Sequence, residues 1–430
     1  MSLIRGAKGS GKSLLFRLFV EQPERARELA SVYGDLSNVE FIGAHGRRAL
    51  DRWIASSQVF ASVEECVGDE MWRSFWPAYA LLRLARTLPD LRPVIKKESS
   101  FAESLLNVLE DQNLSEEGLI QALANAVQTS AARAAANDWM QIANQWLGRQ
   151  NKHAWLFYDE LDAGFGHTSH DYRRRRRALE GLLAWWLEYS GPLTHIHMKC
   201  LLREDIWQEL RFPNLSHYAG KDMTLQWQEE DLWRLVLRQA LASSAFAREV
   251  AHLVIDREAL DRLDVDQLRK ALIPLWGERM GAGKAAYTYR WVLRRITDGR
   301  GSRFPRSLVL LLSQALEQER QNRQSPGKSI LKPRSLVAAM DAVSMSRVQE
   351  VKEEYPELQT ALEALRDSSS PMDKPGLDQV LAGFDRPPEE IIEQMLKAGI
   401  LEKRKPREDN RYAIAELYLF GLGMRRKGPG

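Results

Sequence analysis

The sequence is poor in cysteine, in long apolar runs and in net charge of either sign. Its 430 residues include two cysteines, Cys66 and Cys200, which excludes a disulfide scaffold and favours a reducing compartment. The longest apolar runs, such as residues 308–312, are too short to span a bilayer, and no signal peptide precedes residue 6. We therefore expect a cytoplasmic protein with no membrane partner. A net charge of +3 on 61 basic and 58 acidic residues means that nucleic-acid binding would have to depend on local patches.

A phosphate-binding pattern lies close to the start of the chain. Residues 6–13 read Gly-Ala-Lys-Gly-Ser-Gly-Lys-Ser, which fits G-x-x-x-x-G-K-[ST]. Glycine permits the positive φ that turns successive N–H groups into one anion-sized hollow, and the following helix directs its positive end there. Lys12 would reach the β- and γ-phosphates, and Ser13 would bind Mg²⁺. The predicted nucleotide-binding residues are Gly6, Ala7, Lys8, Gly9, Ser10, Gly11, Lys12, Ser13 and Leu14.

A continuous apolar run that ends in two acids is the second functional stretch. Residues 154–158 read Ala-Trp-Leu-Phe-Tyr and precede Asp159 and Glu160. Such a run is typical of a buried parallel strand that opens into a site at its carboxyl end. Asp159 would hold the Mg²⁺ shell, and Glu160 would polarise the attacking water as a catalytic residue. The alternative is that both acids only cap the next turn. Together the two stretches predict ATP and Mg²⁺ as cofactors of an ATPase.

The order of apolar patterns predicts three domains. Strand-like runs alternate with helical stretches in residues 1–230, which predicts an α/β fold: a P-loop NTPase parallel sheet with large helical insertions. Residues 231–345 predict an all-α lid, and residues 346–430, with helix, helix and hairpin, a small winged-helix-like α+β domain. The strand-like runs that follow the phosphate-binding pattern are residues 39–43, 154–158, 195–202 and 221–227. The alanine-rich residues 121–136 predict one continuous helix.

Two clusters have both a structural and a functional interpretation. Trp72, Phe75, Trp76 and Tyr79 recur at helical spacing, and we favour a core over a base-stacking platform. Residues 173–177 are five consecutive arginines, which could bind a phosphate backbone or an acidic protein. A solvated helix start is the alternative interpretation of these arginines.

The C-terminal segment is locally basic. Residues 397–430 contain nine lysines and arginines against four acids, which is consistent with contact to double-stranded DNA. A winged helix can equally serve only for packing, so both roles stay open for this domain.

Several stretches together resemble the bacterial P-loop ATPases of the AAA+/STAND-like group. They are residues 6–13, 156–160, 202–206, 225–227 and 304–308, and residues 416–428 are similar to the tail of many such proteins. The acid directly after Asp159 resembles the additional-strand, catalytic-glutamate branch rather than small GTPases or kinases. The resemblance implies a nucleotide-driven switch with slow or triggered hydrolysis, often found in antiphage defence or regulatory systems.

The same resemblance implies that arginines complete the site. Arg203 matches the sensor-1 position at a strand end, and Arg306 matches a sensor-2 position at the start of a lid helix, so both would act in catalysis. The alternatives are a surface pair of Arg203 with Asp205 or Glu204, and a solvated Arg306 in the first turn of its helix. Arg211 lies where such proteins project an arginine into a neighbour's site, which implies a nucleotide-dependent homo-oligomer. A partner effector protein is the other implied interaction.

A second hypothesis is a DNA-binding winged-helix regulator with a vestigial nucleotide site. The basic C-terminal segment, the arginine run and the short segment before the phosphate pattern motivate it. The chain begins almost at this pattern, with residues 2–5 for the strand that feeds it. Either the N-terminus is truncated or adenine recognition is incomplete.

Overall fold

A computed structural model of the chain forms two compact units. The first comprises Met1–Ala7 and Gly11–Leu225, and the second comprises Lys8–Ser10 and Gln226–Gly430. The structure describes residues 3–47, 52–53, 57–67, 72–98, 103–111, 113–166, 168–253, 259–283, 285–322, 329–404 and 411–427.

The first unit alternates strands with helices. Its strands are β1 (Leu3–Gly6), β2 (Val39–Arg47), β3 (Arg52–Trp53), β4 (His153–Tyr158), β5 (Ile196–Arg203) and β6 (Asp222–Thr224). Its helices are α1 (Lys12–Glu21), α2 (Pro23–Ala30), α3 (Ser57–Val67), α4 (Trp72–Thr87), α5 (Leu91–Glu98), α6 (Glu103–Glu110), α7 (Glu116–Ala126), α8 (Ser130–Arg149), α9 (Ser169–Tyr189) and α10 (Glu204–Glu209).

The strands of this unit form one sheet with the order β3-β2-β4-β5-β1-β6. Five of them, from β2 to β6 in that order, pair in parallel, and β3 is antiparallel to β2 at the edge. The predicted α/β architecture, with a parallel sheet and helical insertions, is confirmed. Because the carboxyl ends of parallel strands share one edge, the residues that follow β1, β4 and β5 come together there.

The aromatic stripe on α4 belongs to the core of the first unit. Trp72, Phe75, Trp76 and Tyr79 are each at most 1% exposed. The Trp76 indole N–H donates to a backbone carbonyl of α9 at 2.7 Å, and the Tyr79 hydroxyl donates to one of β2 at 2.9 Å. These bonds satisfy the polar atoms of Trp76 and Tyr79, whereas the Trp72 indole nitrogen is buried without a hydrogen-bond partner among the described residues. The core interpretation is therefore confirmed.

The alanine-rich stretch forms two helices rather than one. Helix α7 ends at Ala126 and α8 begins at Ser130. The Thr129 hydroxyl accepts a hydrogen bond from the Ala132 N–H, which caps the N-terminus of α8. A threonine that bonds the backbone in this way favours a helix start over a helix interior, so the prediction of one continuous helix is wrong.

Most of the arginine run has partners inside the first unit. Arg174 and Arg177 both pair with Glu64, and Arg175 pairs with Glu209 at 2.9 Å. Consecutive residues of a helix project in different directions, which explains how neighbours in the run reach α3 and α10. The charge of these arginines is therefore balanced within the fold.

The second unit is mainly helical. Its helices are α11 (Glu229–Ala240), α12 (Ser244–Val250), α13 (Val265–Ala271), α14 (Ile273–Trp276), α15 (Thr288–Arg295), α16 (Pro305–Asn322), α17 (Pro333–Glu354), α18 (Gln359–Ala364), α19 (Lys374–Val380), α20 (Pro388–Lys397) and α21 (Glu416–Leu419). Its strands are β7 (Ser369–Ser370), β8 (Met372–Asp373), β9 (Leu401–Lys403), β10 (Arg411–Ile414) and β11 (Arg425–Arg426).

The short strands of the second unit form two small sheets. Strands β8, β10 and β9 form an antiparallel sheet with β10 in the centre, and β7 pairs with β11 in parallel. Residues 405–410, between β9 and β10, lie outside the described residues. Within the described part of the chain, no helix is both long enough and apolar enough to cross a bilayer.

The packing of α9 against α4 gives a test of the fold. A Cβ at Gly181 of α9 would lie 2.7 Å from the Trp72 Cβ and 3.2 Å from the Arg73 N. We expect Gly181→Ala to lower the free energy of unfolding by about 1–3 kcal/mol, because the two helices would have to move apart. Helix propensity alone predicts the opposite sign, a gain of up to about 1 kcal/mol.

Denaturant unfolding of both variants and the wild type measures this difference. Gly191→Ala is the matched control, because a Cβ there meets no atom within 4 Å. A Gly181→Ala protein as stable as this control would contradict the close approach of α4 and α9.

Candidate functional site

The loop between β1 and α1 has the backbone that its glycines predict. Gly9 has φ 81° and Gly11 has φ 103°, a region that L side chains rarely adopt. Helix α1 begins at Lys12, and the Leu15 N–H donates to the Gly11 carbonyl at 3.0 Å. The unpaired N–H groups of the first helical turn therefore lie directly after two left-handed glycines, an arrangement suited to binding an anion.

The Lys12 side chain is buried against this loop. Its Nζ donates to the Gly6 carbonyl at 2.8 Å and to the Ala7 carbonyl at 2.9 Å. Burial lowers the pKa of Lys12, and the Asp159 carboxylate opposes that shift. The ammonium is thus held at the loop and close to the end of β4.

The predicted metal ligands meet at the carboxyl edge of the sheet. Asp159 directly follows β4 and is 3% exposed. Burial raises the pKa of Asp159 to about 6, although the nearby Ser13 side chain and Glu160 backbone lower it. Ser13 and Asp159 are therefore close together in the fold although they lie far apart in the sequence.

Glu160 has a strained backbone. Its φ is 49°, and its carbonyl accepts a hydrogen bond from the Ala163 N–H at 2.9 Å. The left-handed region costs a residue with a Cβ about 1–2 kcal/mol. Such strain persists only where the surroundings hold it, and it clusters at functional sites.

Arg203 ends β5 between two carboxylates. It binds Asp205 through both Nε and Nη2, at 3.1 and 2.6 Å, and its Nη1 binds Asp162 at 2.7 Å. The Arg203 side chain is 13% exposed, and its charge contributes to lowering the pKa of Lys12. The pair with Asp205 that was considered as an alternative is present, and it lies beside Lys12 rather than on the open surface.

The structure places Arg306 against the phosphate loop, where its Cβ lies 3.6 Å from the position of a Cβ added at Gly9. Leu14 is on α1 and is 71% exposed. Arg306 belongs to the second unit, where its Nη1 binds Glu350 of α17 at 2.9 Å. The first unit therefore brings together Lys12, Ser13, Asp159, Glu160 and Arg203.

The sequence reasoning missed His45 and Asp162. The predicted second strand ended at Gly43, whereas β2 continues to Arg47 and places His45 beside Asp159. The His45 Nδ1 lies 2.8 Å from the Asp159 carbonyl oxygen. Only the pairing of β2 with β4 reveals this contact, but the third acid of the sequence Asp-Glu-Leu-Asp was a visible signal for Asp162.

The donors of this site fit a magnesium nucleotide. The Ser10 hydroxyl is buried in the loop and has no hydrogen-bond partner among the described residues, as expected where a phosphate oxygen would bind. The Ser13 hydroxyl and the Asp159 carboxylate are adjacent oxygen donors, which Mg²⁺ prefers. No three His, Cys, Asp or Glu residues of the described chain form a metal site by themselves. A magnesium ion here would need phosphate oxygens and water for the rest of its shell.

Comparison with known proteins identifies no family. No family model matches the chain, and no curated protein matches it significantly. The resemblance to AAA+/STAND-like ATPases therefore depends on the residues and motifs quoted above.

The buried charge of Asp159 gives a prediction for stability. Its pKa is higher in the folded chain than the ordinary value of 3.8, so the folded state binds more protons than the unfolded state between those two values. Stability is therefore lost as the pH rises through about 6. We expect Asp159→Asn to raise the midpoint of thermal unfolding at about pH 8 in metal-free buffer, and to raise it less at about pH 4.

Asp162→Asn is the matched control and should have the opposite sign. Burial would raise the pKa of Asp162, but Arg203 outweighs burial and lowers it. Its charge therefore stabilises the fold at about pH 8, and its removal should lower the midpoint. An Asp159→Asn protein that unfolds below the wild-type midpoint at about pH 8 would contradict the destabilising charge.

Proposed function

We propose that the chain binds ATP at residues 6–14 and hydrolyses it with Mg²⁺. The observation that supports this most strongly is the proximity of the Ser13 side chain to the Asp159 carboxylate, whose pKa it lowers. It joins the end of the phosphate loop to the end of the buried strand, which are the two halves of a magnesium nucleotide site.

Each residue of the cluster has a distinct role in this proposal. The loop N–H groups and Lys12 bind the β- and γ-phosphates, and Ser13 and Asp159 would hold Mg²⁺, which neutralises phosphate charge when bound. Glu160 orients the attacking water and accepts its proton. Arg203, next to Lys12, stabilises the negative charge that develops on the transferred phosphoryl group.

The strand order supports the same assignment. Strand β5 lies between β1, which leads into the phosphate loop, and β4, which leads into Asp159. The acid pair Asp159 and Glu160 resembles the catalytic-glutamate branch of these ATPases, and that resemblance implies an additional strand at this place. The role of a slow or triggered switch in a cytoplasmic regulatory or antiphage system has its support in that resemblance alone.

Some features of the C-terminal part of the second unit favour DNA binding, and others oppose it. Helices α19 and α20 beside the antiparallel sheet of β8, β10 and β9 suit a winged-helix-like module. However, α20 exposes Glu389, Glu390 and Glu393. Its Lys397 is paired with Glu393 at 2.7 Å. Carboxylates repel the phosphate backbone, so we favour packing or an effector protein as the role of this helix.

Two substitutions separate nucleotide binding from hydrolysis. Lys12→Ala should abolish ATP binding, because it removes the buried ammonium of the loop. Glu160→Gln should retain binding and stop turnover, because an amide cannot accept the proton of the water. A fluorescent ATP analogue measures affinity, and phosphate release measures turnover.

Arg17→Ala is the control for the loss of a positive charge from α1. Its side chain is 51% exposed and pairs only locally with Glu21, so both readouts should match the wild type. ATP affinity that is equal in the wild type and Lys12→Ala would overturn the proposed site. Undiminished turnover by Glu160→Gln would overturn the assignment of the base.

A further inference from the structure

One residue of β2 holds both backbone groups of Asp159. The Asp159 N–H donates to the His45 carbonyl at 2.9 Å, and the His45 Nδ1 lies 2.8 Å from the Asp159 carbonyl oxygen. A carbonyl oxygen only accepts hydrogen bonds, so the Nδ1 of His45 must carry a proton. His45 and Asp159, the residue before Glu160, are therefore joined by two hydrogen bonds.

The local structure of β2 directs the His45 ring to this place. The pairing of β2 with β4 shifts register between Gly43 and His45. A bulge of this kind re-aims side chains at the end of a strand, often beside a functional site. The ring is 1% exposed, so its hydrogen bond to Asp159 is shielded from water.

Helix α1 packs closely against the same end of β2. Gly46 has φ 140°, and a Cβ there would lie 3.0 Å from the Phe16 ring. The close approach of Phe16 ties β2 to the helix that begins at the phosphate loop. The position of His45 is therefore fixed relative to Lys12 and Ser13 on that helix.

The hydrogen bond from His45 affects Glu160 because the Asp159 carbonyl is part of the peptide unit that joins the two residues. The Asp159 carbonyl and the Glu160 nitrogen belong to one planar peptide unit. The strained φ of 49° at Glu160 is a rotation about the bond that starts from this unit. Without the bond, the peptide can rotate, Glu160 can relax to a negative φ, and its carboxylate moves.

We propose that His45 is a positioning residue that holds Glu160 in its hydrolytic orientation by fixing the Asp159 carbonyl. This inference depends on the proposed function, because it assigns His45 a part in the same reaction. The Nδ1 of His45 binds the Asp159 carbonyl at the end of β4, so the loss of this bond should reduce turnover and leave nucleotide affinity in place.

Two amide variants of His45 test this proposal. Asn places its N–H₂ close to the position of Nδ1, whereas Gln places it close to that of Nε2. Both amides carry a similar penalty for burial, so a merely structural role would affect both alike. We expect His45→Gln to lower kcat by about 10- to 100-fold with ATP affinity within about threefold of wild type. His45→Asn should restore most of that loss.

The outcomes distinguish this inference from the proposed function. A wild-type protein that neither binds nor hydrolyses ATP would overturn the function. If the wild type hydrolyses ATP, equal kcat in His45→Gln and the wild type, or equal losses in both amide variants, would overturn the positioning role.

A spectroscopic measurement covers the case in which the variants do not fold. In wild-type protein with ¹⁵N-labelled histidine, the His45 resonances should report the tautomer with the proton on Nδ1. A neutral ring with its proton on Nε2 alone would overturn the proposal, whatever the activity of the protein.

Discussion

A buried carboxylate at the end of β4 is the constraint on which the first unit depends. Asp159 is removed from water, and its raised pKa of about 6 shows that the fold disfavours its charge. The Ser13 hydroxyl, the Glu160 N–H and the nearby Lys12 offset part of this penalty. Lys12 and Ser13 begin α1 and Glu160 follows Asp159, so the carboxylate draws the start of α1, the strand end and the following turn into one arrangement.

Strain and burial at this site both oppose stability. Glu160 keeps a left-handed backbone that costs about 1–2 kcal/mol, and the Asp159 charge lacks full solvation. Large buried side chains of the core, such as Leu156 and Phe157, each contribute roughly 1.5–3 kcal/mol from area removed from water. The fold tolerates the destabilising effect of Asp159 and Glu160 because the core around β4 is extensive. Such a pair is useful to the protein only if it acts on a ligand.

The sequence predicted the parts of this structure that depend on local pattern. The glycine-rich loop and the strand before Asp159 follow from glycine spacing and an apolar run, and each forms at the predicted place. The parallel sheet followed from the alternation of strands and helices. The aromatic stripe on α4 was placed in the core because its spacing matches one helix face.

Features that depend on pairing between distant segments could not be predicted in this way. The contact of His45 with Asp159 requires the register of β2 against β4 and its shift after Gly43, which no local pattern encodes. The pairing of Arg174 and Arg177 with Glu64 requires α3 to pack beside α9, whereas the sequence showed only a run of like charges. The split between α7 and α8 depends on Thr129 as a helix cap, whereas the alanines around it favour one continuous helix.

The charges around Lys12 explain why a divalent cation suits this site. Lys12 and Arg203 face the carboxylates of Asp159, Asp162 and Asp205, and Arg203 already binds two of them. The phosphates of a nucleotide would add several negative charges to a cluster whose cations are already shared. Ser13 and Asp159 are the residues that would hold Mg²⁺, and its charge would offset the repulsion between the carboxylates and the phosphates. Phosphate binding at this cluster is therefore expected to depend on Mg²⁺ for electrostatic reasons, before any chemical step begins.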